Sequence, residues 1–256
     1  MVKLSTTIVA SLALGSEAVM LKKPTPAVMN LRGGLAGLDP TDVATKANYL
    51  NLVNAGVMTL AGETAAGLYG IKDPSPVMSQ MSEWAGSLML MIAITTYKVL
   101  GGGEFTDALA WGSVPSLIQN VQGLLRGTAG KLGFGTAAQY MPALVSAVLT
   151  AGLFGKAGPL DSALALKITA VWFLANGLGC YFATEPFMDA WEAPAMSSAD
   201  MAFGKFFGSI MACAGIFVSS VAFLEKDPLD AIGYTWAAFL ATNLDGLFLS
   251  KTYEKI

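Results

Sequence analysis

The chain has 256 residues, 54% of them hydrophobic and 13% charged, with a net charge of −3 and a mean hydropathy of +0.56. A typical soluble domain carries about 25% charged residues, so this composition points to outer faces that meet lipid. The weakly acidic balance, with no basic run of five or more residues, excludes a nucleic-acid footprint. Histidine is absent, which removes haem ligation by imidazole, two-His zinc hydrolysis and Ser/His/Asp catalysis.

At the amino terminus, Lys3 precedes a short apolar run from Thr6 to Leu14, and Ser16-Glu17-Ala18 offers a small-x-small cleavage site. That pattern is a secretory signal too short to span a bilayer, and residues 1–18 are assigned to it. Val19 to Leu38 contains no acidic residue but has Lys22, Lys23, Arg32, Pro24 and Pro26, a transit-peptide composition. Residues 19–45 are therefore expected to be a transit-like, flexible segment. A signal followed by such a stretch resembles the bipartite presequences of plastid proteins in algae with complex plastids, such as diatoms. The resemblance implies a plastid membrane, thylakoid or envelope; an ordinary secretory signal would instead imply a secretory-pathway or plasma membrane.

Residues 46–250 form one expected membrane domain, followed by a tail at 251–256. Three segments share Asp, fifteen residues, then Gly-Leu: Asp107 to Gly123-Leu124, Asp161 to Gly177-Leu178 and Asp230 to Gly246-Leu247; a degenerate copy runs from Asn51 to Gly67-Leu68. Each is about long enough to cross a bilayer as a helix at ~1.5 Å per residue. In chain order, helices ending in Gly-Leu (B) are expected at Ala47–Tyr69, Asp107–Leu125, Asp161–Phe182 and Asp230–Leu249. Between them lie A helices at Glu83–Leu100, Thr136–Phe154 and Ala202–Leu224. The expected fold is an all-α polytopic membrane bundle of about seven spans from tandem two-helix repeats.

Each A-to-B link combines breakers with an acid: Gly101-Gly102-Gly103, Gly155 to Pro159, and Glu225-Lys226-Asp227-Pro228. Asp107, Asp161 and Asp230 are the expected amino-terminal caps of the B helices. The longer link from Thr184 to Asp200 carries Pro186, Trp191 and Pro194 and parallels Ile71 to Glu83, so a B-A-B arrangement occurs twice. With seven spans every B helix runs the same way, making the repeats parallel. Cys180 and Cys213 are expected to be apolar packing residues, and Pro115 to kink its helix.

The candidate functional constellation is a polar layer toward the carboxyl ends of the B helices: Glu63, Asn120, Gln122, Asn176, Asn243 and Asp245. Amides and carboxylates within apolar spans are candidates for interhelical hydrogen bonds, a bound ligand or an ion path. No catalytic motif accompanies them, and no metal site is expected. Carboxylate or amide oxygens suit a chlorophyll magnesium, so chlorophyll, carotenoid or lipid are the ligands to consider; the partners expected are membrane lipids and other membrane subunits, with no nucleic acid. The leading expectation is a non-catalytic accessory or scaffold subunit packing against a larger membrane complex. The alternative is a small-solute or ion transporter using the polar layer.

Overall fold

The computed structural model describes residues 40–68 and 71–254. The expected signal peptide and most of the transit-like segment, together with Tyr69 and Lys255, lie outside the described residues. Residues 40–45, expected to be flexible, instead form the first turns of a helix that has Pro40 at its start, where the fixed φ of proline favours initiation. The elements are α1 (Pro40–Leu60), α2 (Gly62–Leu68), α3 (Pro76–Leu100), α4 (Phe105–Arg126), α5 (Thr128–Lys131) and α6 (Thr136–Leu153). They continue with α7 (Ser162–Phe182), α8 (Thr184–Ala190), α9 (Ser198–Ala222) and α10 (Pro228–Leu244), then a π-helical turn at Asp245–Leu249 and a 3-10 turn at Thr252–Glu254.

The expected alternation of B helices (α1, α4, α7, α10) with A helices (α3, α6, α9) is present. Among the described residues there is no β-strand. Three helices, α6, α7 and α9, are long and apolar enough to cross a membrane. Large apolar side chains also stand out from the carboxyl ends of the B helices: Leu60 is 86% exposed, Leu125 80%, Phe182 78% and Leu249 81%. Such a girdle is unfavourable in water, at ~25 cal/mol per Å² of apolar surface, and costs nothing against acyl chains.

The first B helix shows a register that the Gly-Leu pattern misses. Boundaries in the second half of the chain repeat those of the first after a constant 122 residues: Pro40 and Ser162, Leu60 and Phe182, Gly62 and Thr184, Leu68 and Ala190, Pro76 and Ser198, Leu100 and Ala222. After one added residue in the next loop, α4 matches α10 and its π turn. The sequence agrees at Asn54 and Asn176, Glu63 and Glu185, Ser75 and Ser197, Gly86-Ser87 and Gly208-Ser209, and Asn120 and Asn243. The arrangement whose element boundaries recur is therefore B-A-B, α1–α4 and α7–α10, with α5 and α6 between the two occurrences. Gly67-Leu68 belongs to the short helix α2 and does not end a span.

Packing repeats as well. In each copy the A helix lies between its two B helices, and α3 and α9 also meet each other. Gly86 and Gly208, equivalent residues, allow these contacts. A Cβ on Gly86 would stand 2.5 Å from the backbone N of Thr59 in α1, and one on Gly208 2.6 Å from that of Tyr181 in α7. Close backbone approach at small residues is the usual way helices associate in lipid.

The amino ends of the two A helices are tied by one carboxylate. Asp200 is buried and accepts hydrogen bonds from the Ser197 backbone N–H (3.0 Å) and hydroxyl (2.7 Å), and from the Ser75 hydroxyl. Ser75 and Ser197 are themselves the caps of α3 and α9.

Only one of the three expected aspartate caps stands at the cap. Asp161 accepts the Leu164 N–H at 2.7 Å. Asp107 and Asp230 lie in the first turn, and the caps are Glu104 and Asp227, three residues earlier. Proline at position 228 sets the start of α10 before Asp230, while Glu104 takes the Thr106 and Asp107 N–H groups at 3.0 and 2.8 Å. Asp107 instead pairs with Lys98 across the α3–α4 hairpin at 3.4 Å.

Candidate ligand cavity

The six expected polar-layer residues occupy three different environments. Glu63 lies in the first turn of α2 and is exposed, as is Gln122 on the outer side of α4. Glu63 departs from the layer because α1 ends at Leu60, so its counterpart is Glu185 and not Asn176. Asn243 and Asp245 belong to a side-chain network at the end of α10. Asn120 and Asn176, both half-buried, line a partly open cavity between the helices.

In the α10 network, Asp245 Oδ2 accepts from the Tyr181 hydroxyl at 2.6 Å and pairs with Lys205 Nζ at 2.9 Å. Lys205 also lies over the Tyr181 ring, 4.8 Å from its centroid. Asn243 donates to the Phe239 carbonyl at 2.7 Å and accepts from Tyr253 at 2.9 Å. The π-helical widening at Asp245 sits where this carboxylate meets α7 and α9. Every member has a partner, so the network joins α7, α9 and α10 as a structural tie. Sequence reading omitted Lys205 and Tyr181, which carry no spacing signature.

The cavity lies between α3, α4, α6, α7 and α9, with α8 and the segment before α6 at one end, and its volume is about 150 Å³. Among the described residues no charged side chain lines it. Its walls include three tryptophans (Trp84, Trp172, Trp191) and four phenylalanines (Phe134, Phe173, Phe187, Phe207). Trp84 is braced edge-on by Phe134 at 5.9 Å and stands 6.2 Å from Phe207. The end containing Phe134 is held by the Gly135 N–H donating to the Glu192 carbonyl at 2.9 Å. A side chain at Gly135 would collide with Glu192, its Cβ 2.0 Å from Oε2.

The polar lining is largely spent on the backbone. Ser116 donates to the Ser87 carbonyl (3.0 Å), Thr169 to Ala165 (2.8 Å), Ser146 to Ala143 (3.1 Å) and Ser87 to Trp84 (2.9 Å). Ser113 donates to Ala110 at 2.7 Å and meets Thr150 at 2.9 Å. Asn176 uses one N–H on the Trp172 carbonyl at 2.8 Å. Asn120 alone among the cavity amides makes no protein hydrogen bond within the described residues, leaving two N–H donors and a carbonyl acceptor at the cavity wall.

The twofold arrangement places a second pocket at the equivalent position, between α1, α3, α9 and α10, and it holds only about 30 Å³. Leu88 and Met91 of the larger cavity correspond to Ile210 and Cys213 of the smaller. Ser113 and Ser116 correspond to Trp236 and Phe239, larger side chains that line the smaller pocket. Helix α6 has no counterpart beside the small pocket. Among the described residues no group of three or more acidic or cysteine side chains is placed to hold a metal ion, and Cys180 and Cys213 are free and buried.

The chain matches no protein family, no curated protein and no solved structure.

Proposed function

We propose that this chain is a non-catalytic integral membrane protein of a plastid membrane, an accessory subunit that packs against a larger membrane complex and holds an apolar ligand between its helices. The cavity carries this reading. It is lined by aromatic rings and backbone-satisfied hydroxyls and contains no charge, the chemistry of a site that retains a neutral molecule. In this proposal all seven long helices cross the bilayer, α1, α3, α4 and α10 beside the three most apolar ones. The plastid assignment rests on the acid-free, basic composition of residues 19–38.

The transport alternative needs a charged or hydrated path. Glu63 and Asp245 lie outside the cavity, and the Asp245 carboxylate is engaged by Lys205 and Tyr181, so that reading gains little support. Gentle solubilisation of native membranes followed by affinity capture of the tagged chain tests the proposal. Co-migration with a larger membrane complex is expected. A chain that migrates alone, and that drives solute uptake into vesicles abolished by Asp245→Asn, would replace it with the transporter.

A further inference from the structure

We infer that the cavity takes the ring of a neutral lipid that carries a ring carbonyl, that Asn120 donates to that carbonyl, and that each chain binds one such lipid because the equivalent pocket, lined by Trp236 and Phe239, holds only about 30 Å³. The inference rests on the ligand-holding reading above and names its ligand class. The cavity is partly open, and its volume bounds the part of a ligand that it encloses. A cavity of about 150 Å³ matches the engineered apolar cavities of other proteins that accept a single benzene-sized ring, and it is far too small for the four-pyrrole macrocycle of a chlorophyll. The rest of such a lipid, its tail, must extend out between helices.

The absence of charge in the lining excludes an ionised head group, since an unpaired charge there would bear a desolvation penalty of several kcal/mol. The hydrogen-bond inventory then selects the oxygen. The wall hydroxyls of Ser116, Thr169 and Ser146 give their protons to backbone carbonyls, whereas the Asn120 amide keeps both N–H groups and Asn176 one. The lining's unspent donors are therefore amide N–H groups, which an acceptor on the ligand meets; the amide carbonyls beside them can take a water or a second ligand group. A carbonyl is a neutral acceptor that lies in the plane of its own ring and keeps the group flat. Quinones and keto-bearing carotenoid end rings share this chemistry.

The test uses the full chain in lipid nanodiscs and follows tryptophan fluorescence, because Trp84, Trp172 and Trp191 surround the site. Three probes are titrated: a benzoquinone with a ten-carbon tail, 4-keto-β-ionone as the carotenoid-type ring, and decylbenzene, which lacks oxygen. Saturable binding of at least one carbonyl probe at one per chain is expected, with decylbenzene about tenfold weaker; which carbonyl probe binds tighter identifies the source of the ring. Asn120→Leu should remove that tenfold preference. S113W/S116F, which copies the smaller pocket, should abolish saturable binding, and Trp236→Phe should leave it intact.

If S113W/S116F loses helix content, Asn120→Leu alone decides. Equal affinity for decylbenzene and the carbonyl probes, a stoichiometry of two, or no saturable binding by the folded chain would each overturn the inference. The accessory-subunit reading would still stand or fall on co-migration.

Discussion

Asn120 and Asn243 stand at the same place in two copies of one helix, yet their surroundings make them different residues. Asn243 is held by Phe239 and Tyr253, while Asn120 is free at a cavity wall. Position in the repeat marked both; only the neighbours distinguish them. Glu63 shows the opposite failure: its spacing from Gly67 placed it in the layer, but the helix break before Gly62 moves it to an exposed turn. Asp200 was legible and unused, since Ser197-x-x-Asp200 is the pattern of a capping box. Its link to Ser75, 125 residues away, has no local signature.

Glu104 gives a pH prediction at this scale. Partial burial raises its carboxyl pKa, but the donated N–H groups of Asp107 and Thr106 outweigh this and hold it below its ordinary 4.5. A lowered folded-state value means that the cap contributes stability above the unfolded value and loses it as pH falls through the folded one. Glu104→Ala should cost about 0.5–2 kcal/mol at pH 7, and the difference from wild type should shrink below pH 4.5. Denaturant unfolding in micelles at both pH values measures it; an undiminished difference in acid would show that the carboxylate is not the cap.

Among the elements, the three glycines that define the Gly-Leu ending have unlike roles. A Cβ on Gly177 would lie 2.2 Å from the Ala212 backbone N in α9, and one on Gly246 2.8 Å from the Tyr253 ring, but Gly123 has nothing within 4 Å. The shared motif therefore does not report a shared contact. Gly208→Ala should cost about 1–3 kcal/mol by overpacking α7 against α9. Gly123→Ala should be neutral or stabilise by up to about 1 kcal/mol through helix propensity. Thermal unfolding in micelles compares the two, and equal effects would contradict this packing.

Most helix positions were readable because long apolar runs, Gly/Pro loops and acidic starts agree with one another. However, α3 begins at Pro76, seven residues before the expected Glu83, because Ser75 caps it and Pro76 starts it, and α1 ends at Leu60. The start of α1 was not readable, because Asp42 and Lys46 make its first turns resemble a polar linker; they pair at 2.7 Å along the helix.

On the scale of the whole molecule, the B-A-B arrangement occurs twice with α6 between, and that helix makes the two halves unequal. It walls one cavity, while the equivalent pocket, lined by Trp236 and Phe239, holds only about 30 Å³. The twofold B-A-B arrangement was readable in the sequence, but its register was not: the Asp-to-Gly-Leu spacing ended the first B helix at Gly67-Leu68, whereas Gly86-Ser87 and Gly208-Ser209 and the asparagine pairs align at the offset that the helix boundaries show. The cavity itself was not legible, since it depends on side-chain volume at Ser113 and Ser116 relative to residues 123 positions later.

The central proposal is that all seven long helices cross the bilayer, and membrane sidedness tests it most directly. Single cysteines at Lys156 and Lys226, in the A-to-B hairpins, and at Lys72, Lys131 and Lys251, beyond the opposite ends of the helices, should be labelled by a membrane-impermeant thiol reagent in sealed vesicles. Native Cys180 and Cys213 are buried and should stay silent. The account predicts that the first two react from one side of the bilayer and the other three only from the other side. Labelling of Lys156→Cys and Lys131→Cys from the same side would contradict the seven-span bundle and the membrane-embedded cavity built on it.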